Sequence, residues 1–180
     1  MRRFAVLGNP IEHSKSPEIH RAFAESCRHE IDYQKVLVEA GDFDRVVTEF
    51  FASGGIGLNV TAPFKGEAFA LAEVHTEDAV DAKAVNTLWR DDEGRICGHT
   101  TDGSGLALDL EVNLGWRLAG ANILFLGAGG AMRSILGPLC DRAPASIHVA
   151  NRTPERAEDL VALFKSCLLY TSPSPRDSSE

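Results

Sequence analysis

Gly54-Gly55-Ile56-Gly57-Leu58-Asn59-Val60-Thr61-Ala62-Pro63-Phe64-Lys65 is the stretch around which the rest of the chain is arranged. Its apolar, glycine-rich first half reads as a buried strand whose end delivers Thr61. Pro63 then turns the chain, because its ring fixes φ and removes the N–H that a continuing strand would need. That leaves Lys65 at the mouth of a cleft. A lysine that is partly desolvated, or set beside another cation, can carry a proton near working pH. A solvated surface lysine is the plain alternative.

Toward the N-terminus, Phe4–Leu7 reads as a first buried strand, stopped by Gly8-Asn9-Pro10. The loop that follows carries His13-Ser14-Lys15-Ser16, and Pro17-Glu18-Ile19 opens a helix with apolar positions Ile19, Ala22 and Phe23. Ser16 fits the N-cap, Pro17 the first helical position and Glu18 the first turn. Capping accounts for Ser16 by itself. Two hydroxyls, Ser14 and Ser16, beside the unpaired amides of a helix start also make a carboxylate site, and both readings stand on the residues.

Toward the C-terminus the periodicity predicts a strand over Ile31–Glu39 and a helix over Asp42–Ala52, with Phe43, Val46, Val47, Phe50 and Phe51 facing in. Strands alternating with helices imply a largely parallel sheet covered by helices. In such sheets ligands sit beyond the carboxyl ends of the strands, which singles out the loops after Leu7, Val60 and Val85. A helix follows Lys65, and a shorter one starts near Thr76-Glu77-Asp78. Val85–Trp89 reads as a strand, Asp91–Gly94 as a turn and Arg95–Gly98 as the return. Asn86 is unusual on a core strand, since a buried amide must be satisfied; it either ties down a loop or holds a ligand hydroxyl. Thr101-Asp102-Gly103 introduces a helix over Ser104–Leu114, which Asp102 either caps or leaves in order to orient the Lys65 ammonium.

The second half opens on Ala121–Leu126, a buried strand running into Gly127-Ala128-Gly129-Gly130-Ala131 and a helical segment from Met132. Strand, glycine turn and helix in that order form a dinucleotide phosphate cradle. Met132 stands where the third glycine of the usual pattern would be. The next strand, Ile147–Ala150, ends in Asn151-Arg152-Thr153-Pro154. A carboxylate there would hold the ribose hydroxyl of NAD, whereas an arginine accepts the 2′-phosphate of NADP, so Arg152, with Arg156 a turn along, points to NADP. Thr153 and Pro154 also make an ordinary helix start.

Composition narrows the functional classes. A chain of 180 residues, 44% hydrophobic, can bury a real core. Its net charge of −8 and pI near 5.2 argue against nucleic acid or an anionic membrane as main partner. The apolar run after Arg3 is too short for a signal peptide or a membrane span, so a cytoplasmic chain is expected. Cys27, Cys97, Cys140 and Cys167 are scattered, without ligand or disulfide spacing, and mostly buried, reduced thiols and no metal are expected.

From about Phe4 to Lys165 the chain resembles the shikimate dehydrogenase family. The resemblance rests on GNPIEHSKSP (Gly8–Pro17), NVTAPFK (Asn59–Lys65), AVNT (Ala84–Thr87), TDG (Thr101–Gly103), GAGGA (Gly127–Ala131) and NRT (Asn151–Thr153). It implies a substrate domain at 1–101 built on an open, mostly parallel sheet, a connecting helix at 102–118, and the first part of a Rossmann domain at 119–165. It implies NADP-dependent, reversible reduction of 3-dehydroshikimate to shikimate in aromatic amino-acid biosynthesis. Ser14 and Ser16 would bind the substrate carboxylate, Thr61, Asn86 and Asp102 the ring hydroxyls, and Lys65 with Asp102 would form the catalytic pair. NADP would lie on Gly127, Ala128, Gly129, Gly130 and Ala131, and on Asn151, Arg152, Thr153 and Arg156, with Glu77 near the nicotinamide. The resemblance leaves room for a homodimer.

Three other readings compete. A quinate/shikimate paralogue favours NAD, against Arg152. A non-catalytic substrate-binding fragment lacks the family's later strands. A serine hydrolase built on Ser14 or Ser16 with His13 has no nucleophile elbow. The stretch 166–180, rich in serine and proline, departs from the family. Such a tail is not expected to continue a parallel sheet and is read as non-native, a translated cloning adapter.

Overall fold

In the computed structural model, which describes residues 1–164 and 169–173, the first strand, β1 (Arg2–Gly8), buries side chains on both of its faces. Alternation along the strand sends Ala5 and Leu7 into the main core and Phe4 and Val6 into a smaller one. Each cluster needs a cover. Helix α2 (Phe43–Ala52) contributes Phe43, Val47 and Phe51 to the main core. Helix α1 (Ser16–Ser26) packs on β1 and on β2 (Ile31–Leu37). Residues Met1–Ala79 and Ala84–Thr100 form one compact unit; Val80–Lys83 and the chain from Thr101 onward form another.

The first unit is a six-stranded sheet in the order β2-β1-β3-β5-β6-β4. Strand β3 (Gly55–Val60) runs parallel to β1, and β5 (Thr87–Arg90) antiparallel to β3. Strand β6 (Ile96–His99) reverses again, and β4 (Val74–His75) runs parallel to β6. Every strand except β5 therefore points the same way, which is the mostly parallel sheet that the alternating pattern implies. Helix α3 (Lys65–Leu71) belongs here, and α4 (Glu77–Ala82) begins in this unit, its residues from Val80 on being counted with the other. Two-residue β4 is too short to leave a periodic signal.

In the second unit α5 (Asp102–Leu108) passes into a π-helical turn (Asp109–Asn113). Strand β7 (Asn122–Leu126), α6 (Gly130–Cys140), β8 (Ser146–Asn151), α7 (Pro154–Leu163) and β9 (Leu169–Pro173) follow, and the sheet order is β7-β8-β9, all parallel. Helix α5 lies against α6 at backbone distance. A methyl group on Gly103 would stand 2.2 Å from the carbonyl oxygen of Ser134, so the glycine of the TDG motif is required by packing.

Several expectations need correction. The N-cap position of α1 is Lys15, not Ser16; the Ser14 hydroxyl accepts from the Ser16 N–H at 3.3 Å and so satisfies a donor of the helix start. Ile19 and Phe23 are 48% and 60% exposed, and Pro17 and Ala24 are the buried residues of α1. The helix is rotated because its polar His20 stacks on Tyr33. Asp102 is the first residue of α5 and Thr101 precedes it. Against the expectation that the tail cannot continue a parallel sheet, Leu169–Pro173 pairs with β8 from Ile147↔Leu169 to Asn151↔Pro173. Leu169, Tyr170 and Thr171 are residue types that suit extended backbone, and Pro173 falls on the last pair, where a missing N–H costs least. Residues 165–168 and 174–180, including Cys167, lie outside the described residues. Cys27, Cys97 and Cys140 are free, and only Cys97 of these three is buried.

Candidate active site

Sheet direction decides which residues meet. In the first unit β1 and β3 end side by side, with Leu7 opposite Val60. Because β5 is reversed, its beginning lies at that same end: Asn59 pairs with Thr87, and Thr87 with His99. The loops after β1 and β3, the entry to β5 and the exit of β6 therefore share one edge of the sheet, the carboxyl edge at which ligands of parallel sheets are held.

Backbone bonds lock these loops together. Thr61 donates to Leu7 O at 2.9 Å and Asn9 to Ala62 O at 3.2 Å. Val60 donates to Asn86 O at 2.8 Å, Asn86 to His99 O at 3.0 Å and Val85 to Lys65 O at 2.9 Å. Gly8 makes room for Thr61, since a methyl group there would lie 2.5 Å from Thr61 Cγ2. The loop between β1 and α1 is held by Asn9, which donates to Val38 O at 3.0 Å, and by Lys35, which donates to Glu12 O at 2.6 Å.

On this edge the structure gathers Ser14, Ser16, Thr61, Lys65 and Asn86, each half-buried, whereas Lys15, Ala62 and Pro63 between them are exposed. Ser14 donates to Ser16 Oγ at 3.2 Å. Lys65 opens α3. Glu77 follows β4 at the outer strand of the sheet. Asp102, half-buried, belongs to the second unit. Both Lys65 and Asp102 have interaction partners.

Three side chains that sequence reading does not single out join this group. Tyr33, 2% exposed, donates its hydroxyl to Asn59 Oδ1 at 2.5 Å. Asn59 donates to Thr87 Oγ1 at 3.3 Å and Asn86 O at 3.4 Å, and Thr87 donates to Asn86 Oδ1 at 2.9 Å. Burial pushes the Tyr33 phenol above its usual range, and the nearby Ser16 side chain offsets part of that rise. Tyr33 is therefore a neutral donor at any working pH. Burial also lowers His20 below the ordinary imidazole value. Only the parity of the strands could have signalled Tyr33: it pairs with Phe4, and Asn59 pairs with Val6, which places all four on the α1 face.

In the second unit the turn after β7 is built from backbone. Gly127 takes φ +113, a conformation that favours glycine, and donates to Ala150 O at 2.8 Å. A side chain on Gly127 or Gly129 would meet nothing within 4 Å, so open space borders the turn. Helix α6 starts at Gly130 with no side chain capping it. Its first amides suit a phosphate. Asn151 accepts from the Ala128 N–H at 3.1 Å and donates to Thr153 O at 2.7 Å. Its amide thus ties the glycine turn to the end of β8, and the Ala128 N–H is engaged by it. Arg152, Thr153 and Arg156 are exposed beside it, and Ala131 is exposed on α6. The residues fit a dinucleotide: open glycines, uncapped helix amides and two arginines at the strand end.

Among the described residues no helix is long and apolar enough to cross a membrane, and no His/Cys/Asp/Glu cluster could hold a metal ion.

Comparison with known proteins matches residues 6–88 to the shikimate dehydrogenase substrate binding domain and residues 110–172 to shikimate / quinate 5-dehydrogenase. A relative from Alkalilimnicola ehrlichii named shikimate dehydrogenase (NADP(+)) is 52% identical over 162 residues, 90% of this chain and 60% of its own length. The chain thus spans about three-fifths of the length of the curated relatives it matches. Among solved structures, an Ael1 enzyme from Pseudomonas putida superposes with a TM-score of 0.90 at 40% identity, over 96% of this chain and 64% of that one. Shikimate 5-dehydrogenase from Thermus thermophilus, solved with NADP(H) and shikimate, gives 0.86 at 35% identity, over 96% and 63%.

Proposed function

The chain belongs to the shikimate dehydrogenase family, and from that premise we propose that it serves the reversible, NADPH-dependent reduction of 3-dehydroshikimate to shikimate. The observation that carries this reading is the gathering of Ser14, Ser16, Thr61, Lys65 and Asn86 at one edge of the sheet. That set holds two hydroxyls beside a helix start, which suit a carboxylate, and a hydroxyl, an amide and an ammonium, which suit a hydroxylated ring. No large apolar side chain belongs to it.

The roles follow from chemistry. Ser14 and Ser16 bind the carboxylate and set the ring's orientation. Thr61, Asn86 and Asp102 hold ring hydroxyls. NADPH would be held by Gly127–Ala131, with Arg152 and Arg156 for its 2′-phosphate, and would supply the hydride; Glu77 is the residue proposed for the nicotinamide side. Lys65 gives its proton to the ring oxygen as charge develops there, and takes it back in the reverse direction. Asp102 is the second member of the proposed catalytic pair. A cytoplasmic location and a homodimer complete the proposal, the latter checked by light scattering.

The experiment is a steady-state assay of the full-length protein with 3-dehydroshikimate and either NADPH or NADH. Turnover at least tenfold more efficient with NADPH is the expected result. No turnover with either cofactor would overturn the reading, and a preference for NADH would favour the quinate-type paralogue.

A further inference from the structure

We propose that Tyr33 is a positioning residue of the substrate site: its buried hydroxyl sets the sense of the Asn59, Thr87 and Asn86 hydrogen bonds in one directional relay. This rests on the functional reading above and adds a residue to it. The direction of the relay is set by what each group can do. Tyr33 spends its single proton on Asn59 Oδ1. With its oxygen taken, Asn59 presents its NH2 to Thr87 Oγ1 and Asn86 O. Thr87 has then received a proton and must give its own, which goes to Asn86 Oδ1. The Asn86 amide is thereby set by one buried phenol.

Removing that phenol oxygen has a specific consequence. Asn59 Oδ1 is then buried without its donor, and nothing fixes the Asn59 NH2 against Thr87 Oγ1 and Asn86 O. Thr87 is no longer committed to giving its proton to Asn86 Oδ1, and that amide loses its fixed sense. The ligand hydroxyls that Asn86 would hold are then met by the wrong group, whereas a carboxylate still finds Ser14, Ser16 and the start of α1.

The test is Tyr33→Phe in the full-length protein, which keeps the ring stacked 4.5 Å from His20. Expected are a KM for 3-dehydroshikimate raised about tenfold, a kcat within twofold of the parent, and a thermal midpoint within a few degrees. Affinity for cyclohex-1-ene-1-carboxylate, which has the carboxylate and no ring hydroxyls, should fall less than threefold. Thr87→Val should cost less in the Tyr33→Phe background than in the parent, since the two act in one relay. An unchanged KM, or equal loss on the hydroxylated and unhydroxylated ligands, would overturn the proposal. A parent protein that binds no shikimate would instead overturn the functional reading on which it rests.

Discussion

The two units solve recognition in opposite ways. In the first, the candidate ligand groups are side chains, several of them held by another: Ser16 by Ser14, Asn86 by Thr87, Thr87 by Asn59. In the second, the candidate ligand groups are backbone amides at a glycine turn, braced by the Asn151 side chain. A hydroxylated ring is read by donor and acceptor direction, which only oriented side chains supply. A phosphate needs positive potential and many N–H groups, which a helix start supplies without any side chain. The burial of the two sheets differs as well. Strand β1 is buried over Ala5–Leu7, whereas β7 leaves Leu124 62% and Leu126 81% exposed.

The sharpest way to break this comparison is to remove the side chain proposed to carry the proton in the first unit. Lys65→Ala in the full-length protein should lower kcat by about 10²–10⁴-fold while the affinity for shikimate changes only a few-fold. Steady-state kinetics beside equilibrium titration separates the two quantities. A kcat within tenfold of the parent would end the proton-carrier role and leave Lys65 as a binding group.

A paired glycine experiment comes next in size. Gly103→Ala drives a methyl group against backbone, 2.2 Å from Ser134 O and 3.0 Å from Ile135 Cα, where nothing can rotate away. Gly8→Ala meets the side chains of Thr61 and Ile11, at 2.5 and 2.9 Å, which can yield. The first should cost about 2–3 kcal/mol of the second unit's stability and the second about 1 kcal/mol. Gly8→Ala should also raise KM, because Thr61 is what moves. Trp89 and Trp116 report one unit each, so urea denaturation followed in single-tryptophan variants resolves the costs. Equal losses would mean that α5 can slide on α6.

Arg152→Ala sharpens the second half of the comparison. Losing one charge-assisted contact to the 2′-phosphate should weaken NADPH about tenfold and leave NADH nearly unchanged. Parallel weakening of both would place the arginine on the shared part of the cofactor.

How much of this is legible in the sequence follows the same division. The glycine turn is readable because its function is its backbone, and Gly127, Gly129 and Gly130 advertise backbone demands directly. The first-unit groups announce themselves only as residue types in suggestive loops. Tyr33 passes as an ordinary aromatic on a strand, because its partner Asn59 is 26 residues away and meets it only through the pairing of β1 with both neighbours. Local periodicity gives α1 an apolar face of Ile19 and Phe23, since no local rule foresees that a histidine will stack on a buried tyrosine. The strand at Leu169–Pro173 is hidden by the serine and proline content around it. Composition averaged over the whole tail conceals a short run that suits a sheet.

The smallest effect tests whether the first unit's network is also a stability element. His20 stacks on Tyr33 at 4.5 Å and 15°, and burial holds its imidazole below the ordinary 6.5. The unfolded chain therefore takes up a proton near pH 6.5 while the folded chain still resists it. By linkage, the stability tied to this group is complete above about pH 6.5, declines as the pH falls through the interval down to the folded value, and is constant below it. His20→Phe keeps an aromatic ring on Tyr33 and removes the titration. The urea midpoint of the first unit, followed at Trp89 with Trp116→Phe, should fall more steeply for the parent than for the variant between about pH 7 and 5. Subtracting the two curves cancels every other histidine. Parallel curves would show that the imidazole protonates as easily in the fold as outside it, and that the stack on Tyr33 is open to water.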